Sequence, residues 1–452
     1  MTTINRQIFD GAKYTISFSM IQYVLYIITQ IIFARLLSPS LFGEFAIISI
    51  VVMFFFSLSN FCTDKYIIIQ KSINKNKLNS LITFDFIYAL VSYSIFFLLI
   101  KNHLIPNINY AYENSILLFG LVVFYHPFSR NKAILEKELK FFKARYPSMI
   151  ATILSSIISI ILAFNGFTLL ALILWRALQY LFEGLILLFI SNFNFSFVAI
   201  ENSKDINDLY KFSAPLIASN IIIYFYWNID YIIVDHLLGK TQLGYYWLAF
   251  QLGLFILRIK DAIINVVLPV FSENKNQDTI NESFNQISLL VFKLFGLIFI
   301  TFIFFGEYIF SFTFGDKWLP ALNPFIITIL LSMIRSFTSF FEPILLIHKK
   351  TNYKLILAVF NAVLVPSLVY FLVKSFGIIG APLGVLISNV FSSIILIFLT
   401  KNLVKINYLP ILKNILFISL IFTLNSILDL NILTKILILI STFGIYIFNE
   451  KK

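Results

Sequence analysis

Charge is what this 452-residue sequence has least of: 12% of its residues are Asp, Glu, Lys or Arg, against 59% hydrophobic. Soluble domains carry roughly 25% charged residues, because water must solvate a folded surface. This chain cannot cover such a surface, and its mean hydropathy of +0.90 points to lipid as its main solvent. Cysteine is equally scarce. The single Cys62 excludes an intrachain disulfide and reads as a small packing residue. Long hydrophilic segments are missing too. The longest connection lies around 191–211, which leaves no place for a soluble catalytic domain.

What the sequence has is long apolar runs. A spanning helix takes about 20 largely apolar residues, since hydrocarbon tolerates no unpaired backbone polar group. Windows of that size place helices near 14–33, 43–62, 80–100, 114–129, 147–164, 167–190, 212–238 and 243–270. Six more follow near 288–310, 321–343, 354–373, 377–400, 409–428 and 431–448. The fold class is therefore all-α integral membrane, with about 14 transmembrane helices. The breaks carry turn chemistry, such as Ser38-Pro39-Ser40, Asn165-Gly166 and Gly239-Lys240.

Lys and Arg accumulate in the connections that stay inside. With the N-terminus inside, the inner segments hold Arg6 and Lys13, Lys65 to Lys77, and the run Arg130, Lys132, Lys137, Lys140, Lys143 and Arg145. They also hold the basic residues near 204–211, 275, 349–354, 401–413 and 451–452. The outer segments hold Arg35, Lys101, Lys240, Lys317, Lys374 and Lys435. Both termini are expected on the cytoplasmic side, and the first run reads as a retained span, not a signal peptide. The net charge of +12 is this topology signal, aided by anionic membrane lipids; nucleic acid is not an expected partner.

Landmarks recur along the chain. Leu36, Leu37 and Gly43 return 201 positions later as Leu237, Leu238 and Gly244. Phe142-Lys143 and Gly166-Phe167 return 211 positions later as Tyr353-Lys354 and Gly377-Ile378. The offset grows where the second half has extra residues around 310–317. Two six-helix lobes follow, 1–200 and 206–405, in parallel repeat because six is even, with helices 13 and 14 appended over 406–452. Parallel repeats about a midplane site are a transporter architecture.

The segments Trp227–Gly239 and Leu243–Phe250 resemble the polysaccharide-repeat-unit flippases, as do Leu268–Ser272, Phe314–Trp318 and Ala34–Gly43. These are the Wzx-type members of the superfamily that also holds lipid II flippases and multidrug exporters. The resemblance covers about residues 1–405. It implies that a polyprenyl-diphosphate-linked oligosaccharide is turned from the cytoplasmic to the outer face of a bacterial inner membrane. O-antigen or capsule assembly, with its polymerase machinery, would consume the product. It also implies a V-shaped pair of lobes around a cationic cavity. Family members often carry a basic residue where Asp235-His236 stands here, so no site is carried onto those positions.

Ionisable groups within spans are costly and mark function by default. Arg258 and Lys260 fall in the eighth helix, Arg335 in the tenth and Arg176 in the sixth; these are the candidate substrate-binding groups. A diphosphate offers several acceptor oxygens, which Arg matches in pairs and Lys meets as a point charge. Lys293 is placed to snorkel. The structural alternative is local pairing of Arg258 with Asp261, Arg176 with Glu183 and Arg335 with Glu342. Among the buried acids, Asp230 and Asp85 are candidates for coupling to a proton or sodium ion, against a plain role in charge neutralisation. Asp230 has no basic residue at i±3 or i±4. His126 and His103 read as interfacial.

Other motifs carry less. Gly239-Lys240-Thr241 is a turn, because the Gly that a phosphate-binding loop needs five positions earlier is Val234. Gly380 and Gly384 read as close packing within the bundle. Pro215, Pro269, Pro343 and Pro366 are each able to kink a helix. A multidrug exporter would favour an acidic lining, whereas the centre here is basic. A membrane polymerase would display acids, His or Arg on substantial outer loops, and these are short. Lipid II flipping follows the same lumen logic as glycan flipping. No catalytic residue, metal or cofactor is expected.

Overall fold

The computed structural model describes residues 3–70, 75–190, 203–273, 277–341, 344–345, 348, 350, 352–427 and 431–448. Among these residues every regular element is a helix. That suits a chain solvated by hydrocarbon, because a helix satisfies its backbone polar groups internally. The chain packs as two compact units, Met1–Asn228 and Ile229–Lys452.

The first unit holds α1 (Thr3–Leu36), α2 (Pro39–Ser59), α3 (Thr63–Ile69), α4 (Lys75–Lys101), α5 (Glu113–Gly120), α6 (Tyr125–Lys137), α7 (Phe141–Phe164) and α8 (Thr168–Ile190). Pro39 starts α2, where its missing N–H would be unbonded anyway. α7 and α8 pack together as a hairpin, and α1 runs along α7. A proline governs the segment α5–α6. Pro127 has no N–H to give the Val123 carbonyl. Leu121–Phe124 tightens into a 3-10 turn, and the Ser59 hydroxyl, which donates to the Phe56 carbonyl at 2.8 Å, lies 3.5 Å from the Val123 carbonyl. The first arm of α9 (Ser203–Glu273) closes the unit. Tyr224 donates to the Ile50 carbonyl at 2.5 Å, and Phe54 meets the rings of Tyr224 and Phe225. The packing boundary thus lies deep inside α9, between Asn228 and Ile229, whereas the repeat boundary read from sequence, between 200 and 206, falls at its start.

The second unit holds the rest of α9, then α10 (Gln277–Thr313), a 3-10 turn at Asp316–Ala321, α11 (Leu322–Ser339), α12 (Asn352–Phe376), α13 (Gly380–Thr400), α14 (Tyr408–Ile427) and α15 (Ile432–Phe448). α9 reverses at Gly239. At 1.5 Å per residue a straight helix would separate Asp230 and Tyr246 by about 24 Å; they are hydrogen-bonded at 2.6 Å. Gly239 takes φ 80° and ψ 177°, a left-handed φ that a side chain would strain. The helix runs on through Pro215 and Pro269, so glycine, not proline, makes this break. Pro343 lies outside the described residues. Gly380 and Gly384 lie against the backbone of α12 at Leu372 and Val369, which is the close packing their spacing suggested. The link from α13 to α14 is clasped by α10. Asn281 accepts from the Lys405 N–H at 2.9 Å, and Asn285 accepts from the Asn407 N–H at 2.7 Å while donating to the Lys405 carbonyl at 2.9 Å.

Ten stretches among the described residues are long and apolar enough to cross a membrane, fewer than the fourteen expected. Two of the ten, Asn207–Leu254 and Ile356–Thr400, each enclose a chain reversal, at Gly239 and at the Gly377–Ile379 turn. α5–α6 falls short through its 3-10 break and its charges, and α15 through its length. The two landmark glycines 211 positions apart, Gly166 and Gly377, both take positive φ (86° and 60°) between consecutive helices.

Candidate functional site

In the second unit, the reversal at Gly239 builds a polar cluster. Asp230, 2% exposed, accepts from the Tyr246 hydroxyl at 2.6 Å. The rings of Tyr231, Tyr246 and Phe250 pack around it with centroids 5.3 to 5.8 Å apart. The Arg335 guanidinium from α11 lies 5.8 Å from the Phe250 ring centroid, and its Nε donates to Asn389 of α13 at 3.3 Å. Tyr246, which holds Asp230, and Phe250, which faces Arg335, are ring neighbours at 5.5 Å. Asp230, isolated along its own helix, is thus linked through two rings to a cation across the fold. Asp235 of the same arm pairs with Lys240 at 2.8 Å.

In the first unit, Arg176 of α8 donates to the Tyr26 hydroxyl at 3.0 Å and to Gln179 at 3.4 Å. Its guanidinium lies 4.8 Å from the Tyr26 ring centroid and 5.0 Å from that of Trp175. The expected partner Glu183 is elsewhere, bound to Lys132 of α6 at 3.0 Å. The pairing fails because α6 offers a cation closer than one two turns along α8.

Asp85 is paired with Arg130, and both are fully buried; Thr63 donates to Asp85 at 2.8 Å and accepts from Arg130 at 2.5 Å. Arg130 was expected in an inner connection. α6 continues past 129 to Lys137, and this carries Arg130 into the packed interior. His126, expected at an interface, is also buried in α6 and donates from Nε2 to the Phe56 carbonyl at 2.9 Å. His103 is exposed, where it and Lys101 bind Glu113 and hold that carboxyl below its ordinary range. Lys293 is buried in α10. The side chains of Arg258, Lys260 and Asp261, and residue Glu342, lie outside the described residues. An apolar cavity of about 200 Å³ lies between α5–α6 and α8; Leu174, Leu178 and Leu181, on a different face of α8 from Arg176, help line it. No group of three metal-ligating side chains occurs among the described residues.

Residues 32–323 match the family described as polysaccharide biosynthesis protein. The chain belongs to that family. Membership bears out the resemblance carried by residues 34–43 and 227–318. The fold is similar to that of the lipid II flippase MurJ in its inward closed conformation. The TM-score is 0.79 at 16% identity, over 96% of this chain and 99% of that one. It is also similar to a multidrug resistance MATE family transporter of the MOP superfamily, inward-facing (TM-score 0.55, 15% identity, 91% and 98% covered) and outward-facing (0.54, 15%, 91% and 96%). No curated protein matches. This polysaccharide biosynthesis protein is thus a multi-pass membrane protein with the fold of flippases and transporters.

Sequence reading missed Gln22, Gln30, Thr152 and Gln179, which surround Arg176 and Tyr26. Their signal was present in the four-residue spacing of Gln22, Tyr26 and Gln30 within an apolar run. Tyr246 was not findable this way, because its tie to Asp230 depends on the reversal between them.

Proposed function

We propose that this protein turns a polyprenyl-diphosphate-linked oligosaccharide repeat unit from the cytoplasmic to the outer face of a bacterial inner membrane by alternating access. The product would enter O-antigen or capsule assembly through the polymerase machinery. The observation that carries this reading is the family match over 32–323 in a chain whose whole length follows the MurJ fold. In this proposal the lobes 1–200 and 206–405 are a parallel repeat with a helix pair at 406–452, and both termini are cytoplasmic. Arg258, Lys260 and Arg335 meet the diphosphate, with Arg176 as a further cation in the first lobe. Asp230 and Asp85 carry a proton or sodium ion for coupling. The membrane potential contributes as well: moving one charge across 100 mV is worth about 2.3 kcal/mol, and with the interior negative this favours outward movement of an anionic diphosphate.

Deleting the gene tests the proposal. Surface polysaccharide should disappear while lipid-linked repeat units accumulate on the inner leaflet. Unchanged surface glycan with no accumulated intermediate overturns it. The MurJ-like TM-score of 0.79 favours lipid II as the second reading over drug export. Rescue of cells depleted of their own lipid II flippase would select that reading.

A further inference from the structure

α1 carries Gln22, Tyr26 and Gln30 at four-residue spacing, hence on one face, in a helix long and apolar enough to span. α7 adds Thr152 to that face, and α8 adds Arg176 and Gln179. Two oxygens collect the donors. The Thr152 hydroxyl accepts from Gln22 at 3.4 Å and Gln179 at 3.2 Å; the Tyr26 hydroxyl accepts from Arg176 at 3.0 Å and Gln30 at 3.2 Å. Polar side chains inside membrane bundles commonly join helices, one hydrogen bond at a time. This cluster has a surplus. Three amides and a guanidinium bring more donors than two hydroxyls can accept, and the carbonyl oxygen of Gln30, a residue 1% exposed, has no partner. Gln22, Tyr26, Arg176 and Gln179 are only half-buried, so their remaining donors and acceptors are reachable.

Each sugar hydroxyl both donates and accepts, and a side-chain amide offers both functions at fixed spacing. The guanidinium is held in place by the Tyr26 and Trp175 rings, which presents its free N–H groups as a rigid fork. One cation among three amides suits a hydroxyl-rich ligand better than a diphosphate, which calls for several cations. We infer that this cluster is a binding subsite for the saccharide portion of the transported lipid. The inference rests on the flippase reading and reassigns Arg176 from the diphosphate to the sugar.

The test uses the full chain in lipid nanodiscs, titrated calorimetrically with two probes: the oligosaccharide released from the host's surface polysaccharide, and farnesyl diphosphate. The wild type should bind both. Gln22→Leu combined with Gln179→Leu should weaken the oligosaccharide about tenfold or more, the scale of one or two lost hydrogen bonds, and leave farnesyl diphosphate unchanged. If the double variant fails to insert, Gln179→Asn, which withdraws the amide by one methylene, is read in the same way. Unchanged saccharide binding, or equal loss of both probes, overturns the subsite. Wild-type protein that binds farnesyl diphosphate but no saccharide overturns the subsite alone. Binding of neither overturns the flippase reading with it.

Discussion

Asp230 and Arg335 belong to one unit and are linked through the neighbouring rings of Tyr246 and Phe250. Their substitutions should fail differently. Arg335→Ala should lower substrate affinity roughly 10- to 150-fold, the cost of a charge-assisted hydrogen bond of about 1.5–3 kcal/mol. Asp230→Asn should bind substrate but stop turnover, because it holds the neutral state permanently. Flipping assays in vesicles with imposed pH and potential gradients separate the two; an Asp230→Asn protein that responds to both gradients like wild type removes Asp230 from coupling. At this scale the sequence identified the costly residues and not their partners. Arg176 and Glu183 are matched along one helical face by sequence and Asp85 is given no partner, while their partners Tyr26, Lys132 and Arg130 stand on other helices.

Between elements, glycine positions carry the most local information. A methyl at Gly380 would meet the backbone of α12, so Gly380→Ala should destabilise the protein by about 1–3 kcal/mol through overpacking. Gly444 in α15 has nothing within 4 Å of where a Cβ would stand, and there Gly444→Ala should stabilise by up to about 1 kcal/mol. Thermal unfolding of the two variants, followed by a fluorescent thiol or light scattering, should show midpoint shifts of opposite sign. The turns at Gly166, Gly239 and Gly377 were readable because glycine and its polar neighbours interrupt long apolar runs. The 3-10 break at Leu121–Phe124 was not, since Pro127 acts on the turn before it. The continuation of α6 to Lys137 also hid Arg130, which looked like a residue beyond the end of the span at 114–129, and His126, which looked interfacial.

For the whole molecule, membrane insertion was legible from composition alone, and fold class from the length of the apolar runs. The polar cluster of Gln22, Tyr26, Thr152, Arg176 and Gln179 was not, because these side chains are gathered from α1, α7 and α8. Sidedness is tested directly: a reporter fused after Lys143 should read cytoplasmic, and one after Lys317 external. Both on one side would break the proposed topology. The clasp of α10 on the link before α14 has a further consequence, in the order of biosynthesis. Asn281 and Asn285 meet backbone made 120 to 124 residues later. At about 5–20 residues per second, α10 precedes that backbone by on the order of ten seconds. The last helix pair therefore docks onto a prepared seat, and a nascent chain arrested before residue 405 leaves that seat open to whatever else the insertion machinery presents.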